Sequence, residues 1–294
     1  MIEKLKYWIA DLVNPFYPLL RKMPTAIQRF RYWKKYRRKL NLNNPVLFYD
    51  KTIWMSLKTD TLLWTELADK YAVRKYVQEK IGNEILNDLY DVYNSVTEID
   101  YEKLPTSFVL KTTNGCATNI IVSDKNNLNI EKANKQLTKW QNFHYGEIIG
   151  QLHYSKIKPR IIAEKMLIQD TSKNIPLIDY KIYCFSGKPI YILVTSDRII
   201  ETHTYARMMY DIEWNPYPEF FIDDVLLKEV KKPESLDVML DSAEKLSQSI
   251  PFVRVDLYEI NKKPIFGEMT FMPGMEAGFT TEFQKKLGDL ITIV

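Results

Sequence analysis

The feature that most constrains the fold is the C-terminal stretch of residues 251–274, PFVRVDLYEINKKPIFGEMTFMPG. Two strand-like runs flank the polar tripeptide NKK, and this pattern predicts an antiparallel hairpin. If the turn is centred on the middle residue of that tripeptide, Asp256 faces Glu268 and Arg254 faces Thr270. Because side chains alternate along a strand, these four side chains share one face of the hairpin.

Two carboxylates that face each other across a strand pair destabilise it, which makes the pairing of Asp256 with Glu268 informative. A divalent cation would remove this repulsion, and Mg²⁺ prefers oxygen ligands from one or two carboxylates together with substrate phosphates. The hairpin therefore indicates either a magnesium site or a solvent-facing sheet surface on which both acids are hydrated.

The composition predicts a globular chain in a reducing compartment. Of the 294 residues, 46% are hydrophobic, which excludes a disordered protein. The two cysteines, Cys116 and Cys184, are far apart in sequence and indicate neither a disulfide framework nor a zinc site. We therefore expect a cytoplasmic protein.

The charge is distributed unevenly along the chain. Residues 1–41 contain eleven Lys and Arg against Glu3 and Asp11, which gives +9; since the whole chain carries +4, the remainder carries −5. A mildly acidic main body argues against nucleic acid as a partner.

Aromatic residues are interleaved with the basic residues of this N-terminal segment, as in YWKKYRRK. This pattern is typical of a helix at a membrane interface, where rings lie at headgroup level and cations face anionic lipid. We expect residues 1–40 either to attach the protein to the inner face of the membrane or to pack on the body as a basic helical hairpin.

The middle of the chain predicts helices, then a flexible flap. Residues 44–94 have a helical pattern that is broken at Gly82. The strand SFVLK then ends at Lys111 and is followed by the polar loop TTNGCATN and the strand NIIVSD. Backbone N–H groups in such a loop can approach phosphate, and a lysine at its mouth supplies positive charge; a plain hairpin with an exposed lysine is the alternative.

The strands RIIAEKMLI, LIDYKIYCF and KPIYILVT are predicted next, followed by an irregular stretch over residues 205–221. The adjacent charges Glu164 and Lys165 in the first of these strands mark either a sheet edge or a cleft. None of the histidines lies near another His or Cys at a metal-ligand spacing.

Taken in order, the segments DKYAVRKYV, LPTSFVLKTTNG, IIAEKML, DYKIYCFSGKP, RVDLY and FGEMTFMPG resemble the ATP-grasp superfamily, and within it the teichuronopeptide-biosynthesis (TupA-like) branch of bacterial surface-polysaccharide loci. The resemblance covers residues 44–274. It implies an α+β ATP-grasp fold, in which two α+β subdomains clasp a nucleotide, preceded by a mostly helical N-terminal region.

With this resemblance the chain divides into four predicted segments. They are a basic aromatic helical segment at residues 1–41, a helical pre-grasp region at 42–104, a small subdomain with the phosphate flap at 105–167, and a large subdomain with the metal-binding hairpin at 168–294.

Matched position by position, the resemblance also implies a nucleotide site and a metal site. The residues expected to bind ATP are Lys70 and Lys111 at the phosphates, Asn114, Gly115 and Thr118 in the flap, and Glu164, Lys165 and Leu167 at the hinge that receives adenine. The expected Mg²⁺ ligands are Asp256, Glu268 and Thr270, and the expected cations at the reacting groups are Arg254, Lys181 and Arg207. Thr270 stands where many relatives carry asparagine, and the flap contains fewer glycines than usual.

The implied reaction is an ATP- and Mg-dependent carboxylate–amine ligation through an acyl-phosphate. The expected partners are a polysaccharide or lipid-linked sugar acceptor that carries a uronic acid or amino acid, and a small molecule that carries an amine.

Two other functions remain open at this point. One is a glycosyltransferase of capsule assembly that uses Asp223 and Asp224 as metal ligands, although no Rossmann-type glycine signature precedes a helix. The other is a non-catalytic nucleotide-binding member of the same machinery, which Thr270 and the glycine-poor flap would suit.

Overall fold

The computed structural model of the chain describes residues 12–169, 176–199, 204–222 and 225–293. The chain divides into two compact units. The first consists of Met1–Lys39, Thr59–Ala72 and Asn87–Met166, and the second of Leu40–Lys58, Val73–Leu86 and Leu167–Val294. The four-segment division at residues 41, 104 and 167 stays a prediction.

The helices are, in chain order, α1 (Tyr17–Leu20), α2 (Pro24–Tyr36), α3 (Phe48–Lys58), α4 (Leu62–Ala68), α5 (Val73–Ile81), α6 (Ile130–Gln141), α7 (Tyr145–Ile149), α8 (Leu236–Ser247) and α9 (Thr281–Asp289). The strands are β1 (Leu89–Tyr93), β2 (Phe108–Thr112), β3 (Asn119–Val122), β4 (Ile161–Glu164), β5 (Asp179–Phe185), β6 (Lys188–Ile199), β7 (Thr204–Asp211), β8 (Phe252–Ile260) and β9 (Lys263–Thr270).

The first unit is built on an antiparallel sheet in the order β1–β4–β2–β3. Phe108 and Leu110 of β2 and Ile161 of β4 are fully buried in a core that also contains Leu137 of α6. Alternation along β2 therefore turns Lys111 to the other face of the sheet. Helix α6 begins where the side chain of Asn129 accepts a hydrogen bond from the backbone N–H of Lys132 at 2.8 Å.

The second unit is built on an antiparallel sheet in the order β7–β6–β5–β8–β9. Helix α8 covers one face, and the Cys184 thiol of β5 donates to the Ala243 carbonyl of that helix at 3.8 Å. Lys181, three positions before Cys184 on β5, and its partner Asp256 on β8 consequently face away from α8. The polar side chains of the hairpin thus lie on the face that this helix leaves uncovered.

Two of the expected elements are wrong. The helical pattern predicted to continue to about residue 94 ends with α5, because Gly82 adopts a φ of +89° that only glycine tolerates easily, and β1 follows. The predicted irregular stretch contains β7, whose alternating side chains Ala206, Met208 and Tyr210 are buried. That alternation of apolar residues was the missed signal.

The described part of the N-terminal segment is helical, as expected, with α1 and α2. Residues 1–11 of that segment lie outside the described residues. Within the described ranges, no helix combines the length and the apolar character needed to cross a lipid bilayer.

Candidate active site

The register predicted for the C-terminal hairpin is confirmed. Strands β8 and β9 are antiparallel, with Arg254 paired to Thr270 and Asp256 paired to Glu268. All four side chains therefore project from the same face of the sheet.

The turn of this hairpin differs from the predicted three-residue turn. Ile260 already pairs with Lys263, so only Asn261 and Lys262 connect the strands. Their φ angles are 51° and 63°, and two left-handed residues are typical of a type I′ turn, which matches the twist of the flanking strands.

A β-bulge restores the predicted pairing. Leu257 pairs with Phe266, whereas Asp256 pairs with Glu268, so Gly267 is an extra residue on β9. Without this extra residue, the two-residue turn would place Gly267 opposite Asp256 and turn the Glu268 carboxylate to the other face.

We expect Gly267→Ala to lower the free energy of unfolding by about 1–3 kcal/mol, the usual cost of overpacking. A Cβ at this position would lie 3.0 Å from the Asp256 carbonyl oxygen and 3.2 Å from the Tyr258 ring. Urea unfolding followed by circular dichroism measures the change. Gly115→Ala is the matched control, because its Cβ would first meet Thr118 at 3.6 Å; equal stability of the two variants would show that the bulge tolerates a side chain.

Strands β5, β8 and β9 align the candidate residues in two neighbouring rows. One row contains Lys181, Asp256 and Glu268, and the next contains Arg254 and Thr270. The structure therefore brings together five of the predicted residues in one unit, on one sheet face. This outcome required β5 to lie next to β8, although the two strands are about seventy residues apart in sequence.

Asp256 is the centre of a buried ion cluster. Its side chain is only 2% exposed. Arg254 donates from Nε to Oδ1 at 2.6 Å and from Nη2 to Oδ2 at 2.6 Å, and Lys181 donates from Nζ to Oδ2 at 2.9 Å. The repulsion expected between Asp256 and Glu268 is thus already offset by two protein cations, so a metal ion is not needed to explain the facing carboxylates.

The charges of this cluster reinforce one another. Burial alone would raise the pKa of Asp256, but the guanidinium of Arg254 and the ammonium of Lys181 outweigh it and hold that pKa below its usual range. Burial likewise opposes the charge on Lys181, but the carboxylates Asp179, at 3.1 Å, and Asp256 outweigh it and raise the pKa of Lys181. Both groups are therefore charged at neutral pH.

The oxygens around Arg254 form a cation-binding arrangement. Besides Asp256, its Nη2 lies 3.1 Å from the Thr270 hydroxyl and 3.4 Å from Glu268 Oε1, and the Thr270 hydroxyl donates to Glu268 Oε1 at 3.2 Å. One guanidinium nitrogen thus lies within 3.4 Å of oxygens from two carboxylates and a hydroxyl. Hard oxygen donors of this kind suit Mg²⁺, with phosphate and water completing its shell.

These side chains would be only part of a metal's coordination shell. Among the residues that the structure describes, no group of three His, Cys, Asp or Glu could hold a metal ion. The predicted glycosyltransferase ligands Asp223 and Asp224 lie outside the described residues.

Arg207 lies on the same sheet face but outside the ion cluster. It is on β7, at the far edge of the sheet from β9. Its Nη1 donates to the Ala277 carbonyl at 2.9 Å, and its guanidinium carbon lies 4.4 Å from the centre of the Tyr205 ring. Through the Ala277 carbonyl, Arg207 thus contacts the segment that follows the hairpin.

In the first unit, the predicted residues Lys111 and Glu164 form an ion pair. Lys111 Nζ donates to Glu164 Oε2 at 2.7 Å, across strands β2 and β4. The Glu164 side chain is 9% exposed, whereas that of Lys111 is 30% exposed. The lysine that is expected to bind phosphate is therefore oriented by a buried carboxylate.

The backbone of Lys165 is already engaged. Its N–H donates to the Asp88 carbonyl at 2.9 Å, and its carbonyl accepts from Asn87 Nδ2 at 2.9 Å. A carbonyl oxygen can accept a second hydrogen bond, so the expected adenine contact there is compatible with this arrangement. Leu167, the other backbone expected at adenine, is half-buried and begins the second unit.

The predicted flap is held from within. Lys70 donates from Nζ to the Gly115 carbonyl. The Asn114 side chain is turned inward and donates to the carbonyls of Trp140 and Gln141, each at 3.2 Å, while the Thr118 hydroxyl donates to a β2 carbonyl at 3.3 Å. The side chains of Asn114 and Thr118 therefore anchor the loop, and the backbone N–H of Thr113 donates to the Arg160 carbonyl at 3.0 Å.

Sequence reasoning missed two carboxylates that orient the predicted lysines. Asp69 accepts from the N–H groups of Tyr71 and Ala72 at 2.8 and 3.2 Å and from Arg160 Nη2 at 2.6 Å, which fixes the turn that carries Lys70. Asp179 acts directly, because its carboxylate forms ion pairs with Lys181 at 3.1 Å and with Arg198 at 3.0 Å. The sequence signal that could have identified them is an aspartate one or two residues before the lysine, as in DKYAV and DYKIY.

A family model described as TupA-like ATPgrasp matches residues 50–292 of the chain. No curated protein matches the sequence.

Solved structures with a similar fold are ATP-grasp ligases. The L-amino acid ligase from Bacillus licheniformis is 13% identical with a TM-score of 0.50, and the alignment covers 87% of this chain and 56% of that one. The D-alanine–D-alanine ligase from Bacillus anthracis complexed with ATP is 14% identical with a TM-score of 0.44, covering 77% and 63%. The ATP-grasp ligase PsnB, complexed with a phosphomimetic precursor variant, Mg and ADP, is 9% identical with a TM-score of 0.44, covering 81% and 62%. The chain spans less than two thirds of the length of each.

Proposed function

Because the chain belongs to the TupA-like ATP-grasp family, we propose that it is an ATP- and Mg-dependent ligase that joins a carboxylate to an amine. The α+β ATP-grasp fold expected from the sequence is confirmed. The observation that carries the proposal is the row of Lys181, Asp256 and Glu268 with Arg254 beside it, because buried cations next to two carboxylates suit a metal-bound triphosphate.

Each group of predicted residues has a role in this proposal. Lys70 and Lys111 contact the phosphates, and Glu164, Lys165 and Leu167 contact the adenine. Asp256, Glu268 and Thr270 would hold Mg²⁺, which would neutralise charge on the phosphate oxygens. Arg254, Lys181 and Arg207 supply fixed positive charge.

The proposed reaction has two steps. An oxygen of the acceptor carboxylate attacks the γ-phosphorus of ATP, the bond to the β–γ bridging oxygen breaks, and ADP leaves. The amine then attacks the acyl carbon, the bond from that carbon to the phosphate oxygen breaks, and phosphate leaves while the amine loses a proton. Negative charge develops on the transferring oxygens in both steps, and in this proposal the cations Arg254 and Lys181, which contact Asp256, stabilise it.

We propose as acceptor a uronic acid or amino acid on a capsule or other surface polysaccharide, or on its lipid-linked precursor, and as second substrate an amine-bearing small molecule. The positively charged N-terminal segment supports this setting, because it suits an enzyme that works in the cytoplasm at the inner face of the membrane.

Oxygen-isotope transfer tests the reaction. With candidate acceptors labelled with ¹⁸O in the carboxylate, we expect amine-dependent release of ADP and of phosphate that carries one ¹⁸O atom. Phosphate without label would contradict an acyl-phosphate. Binding of ATP without turnover on any acid and amine pair would favour a non-catalytic role, and tight binding of UDP-sugars without adenine nucleotide would favour a glycosyltransferase.

We expect Glu268→Gln to lower Mg-dependent ADP release about 10²–10³-fold, as removal of one preorganised electrostatic group does. Its side chain is 39% exposed, so the change in unfolding free energy should stay within about 1 kcal/mol. Electron paramagnetic resonance of Mn²⁺ with a non-hydrolysable ATP analogue reports the metal site directly. Glu244→Gln, an exposed residue on the helix-covered side, is the control; equal Mn²⁺ affinity of both variants would remove Glu268 from the metal site.

A further inference from the structure

Helix α2 belongs to the first unit and packs on the rest of that unit through its polar face. Gln28 is 1% exposed and donates from Nε2 to the carbonyls of Ile149 and Gly150 at 2.9 and 3.0 Å. Arg31 donates from Nη1 to the same Ile149 carbonyl at 2.9 Å, and Tyr32 is 1% exposed. Hydrogen bonds from Gln28 and Arg31, beside the buried ring of Tyr32, therefore anchor this helix.

The opposite face of α2 is apolar and faces solvent. Phe30 is 61% exposed and Trp33 is 48% exposed, and Met23, just before the helix, is 45% exposed. The spacing of these residues continues upstream in steps of three and four, where further large apolar side chains are 53–62% exposed. We call this set the exposed stripe; it consists of Leu12, Phe16, Leu19, Met23, Phe30 and Trp33.

This arrangement reverses the usual polarity of a surface helix, which buries its apolar stripe and exposes its polar face. Single exposed apolar residues are ordinary, but the paired rings of Phe30 and Trp33, with centres 6.4 Å apart, and four more exposed apolar side chains in the preceding residues indicate an interaction surface. The exposed stripe therefore has the character of a surface that is covered by an apolar partner.

The charge around the exposed stripe identifies the chemistry of that partner. Residues 12–49 contain no Asp or Glu, while residues 21–39 contain nine Lys and Arg. Arg21, Lys22, Arg29, Lys34 and Lys35 among them are exposed and flank the stripe. The partner must accept large apolar side chains and carry negative charge beside them.

An anionic lipid bilayer meets both conditions, because its acyl region takes aromatic and aliphatic side chains while its headgroups attract the bases. A second copy of the chain would bring together two surfaces that each carry nine bases and no acid over these residues, which opposes self-association. A nucleic acid would use the bases but would leave the aliphatic members of the stripe in water.

We propose that the exposed stripe and its surrounding bases dock the protein onto an anionic lipid surface, with α2 parallel to the membrane plane. Hydrogen bonds from the polar face of α2 connect this docking helix to the rest of the first unit. The proposal rests on exposure and charge alone, and it is independent of the reaction proposed above.

Co-sedimentation of the full chain with vesicles tests the proposal. We expect binding to vesicles that contain phosphatidylglycerol, and at least about tenfold weaker partitioning to pure phosphatidylcholine vesicles or at high salt. The double variant Phe30→Ser/Trp33→Ser should reduce binding to the anionic vesicles by a similar factor. Leu62→Ser/Val238→Ser, which changes side chains that are 60% and 51% exposed elsewhere, is the matched control and should bind as the unchanged protein does.

A second measurement distinguishes docking from a general loss of structure. Lipids with brominated acyl chains should quench part of the tryptophan fluorescence of the unchanged protein, and Trp33→Phe should remove that part while its thermal melting stays the same. Equal binding to neutral and anionic vesicles, or binding that the stripe variant retains, would overturn the proposal. Dimers or DNA complexes that the stripe variant abolishes, without vesicle binding by the unchanged protein, would also overturn it.

Discussion

Replacing Asp256 with Asn is expected to lower the free energy of unfolding by about 3–5 kcal/mol, as removal of one partner from a buried ion pair does. The carboxylate is 2% exposed and compensates both Arg254 and Lys181, whose side chains are only 11% and 14% exposed. In the variant, an uncharged amide would face two buried cations and could accept fewer of their hydrogen bonds. Chemical denaturation followed by circular dichroism measures the change.

This expectation replaces the one that the facing carboxylates suggest. If Asp256 and Glu268 simply repelled each other, Asp256→Asn would relieve the repulsion and spare the fold. Because Arg254 donates two hydrogen bonds to the Asp256 carboxylate, the substitution is expected to destabilise the fold instead. Glu268→Gln provides the comparison on the opposite strand, because that side chain is 39% exposed and should change stability little. Similar stabilities of the two variants would contradict the ion cluster as described.

The second large effect concerns His153, which we expect to make the protein less stable in mild acid. Burial lowers the pKa of His153 to about 3. Between pH 6.5 and 3 the unfolded chain binds a proton on this imidazole and the folded chain does not, so stability is complete above pH 6.5 and falls as the pH decreases. The slope is about 1.4 kcal/mol per pH unit, and the total reaches roughly 4–5 kcal/mol near pH 3.

Urea unfolding at a series of pH values measures this slope. His153 lies edge-on to Trp64, with ring centres 5.7 Å apart, and packs near Tyr154 at 4.5 Å. His153→Phe is therefore a suitable comparison, since it keeps an aromatic ring and cannot take up a proton. The difference in stability between the two proteins should change with pH between 6.5 and 4. A difference that stays constant over this interval would show that the imidazole titrates normally in the folded state.

The hairpin shows how much of the candidate site the sequence could predict. Two apolar runs around a polar turn were sufficient to place Asp256 opposite Glu268, because the pairing of neighbouring strands is local. The predicted register is nevertheless correct only because two deviations from the predicted hairpin cancel. The turn is one residue shorter than expected, and Gly267 supplies the extra residue that restores the register.

The orientation of the predicted lysines could not be derived in this way. Lys181 contacts Asp256 because β5 lies beside β8, and Lys111 contacts Glu164 because β2 lies beside β4. Both adjacencies join segments that are more than fifty residues apart, and strand order of this kind is not encoded in periodicity. Strand β7 and the end of the helical region were missed for a different reason, because their signals, an alternation of apolar residues and Gly82, were present in the sequence.

The sequence by itself determined the family: the order of its short motifs identified the ATP-grasp family and its α+β fold, and the charge of residues 12–49 could be counted from the sequence alone. Only the tertiary structure decided what those charges do. Burial and strand order turned two facing acids into a neutralised cluster around Asp256, and docking through Gln28 left the apolar face of α2 in solvent. The physical reason is that composition and periodicity fix the character of each element, whereas the partner of a charge and the covered face of a helix depend on contacts between distant segments.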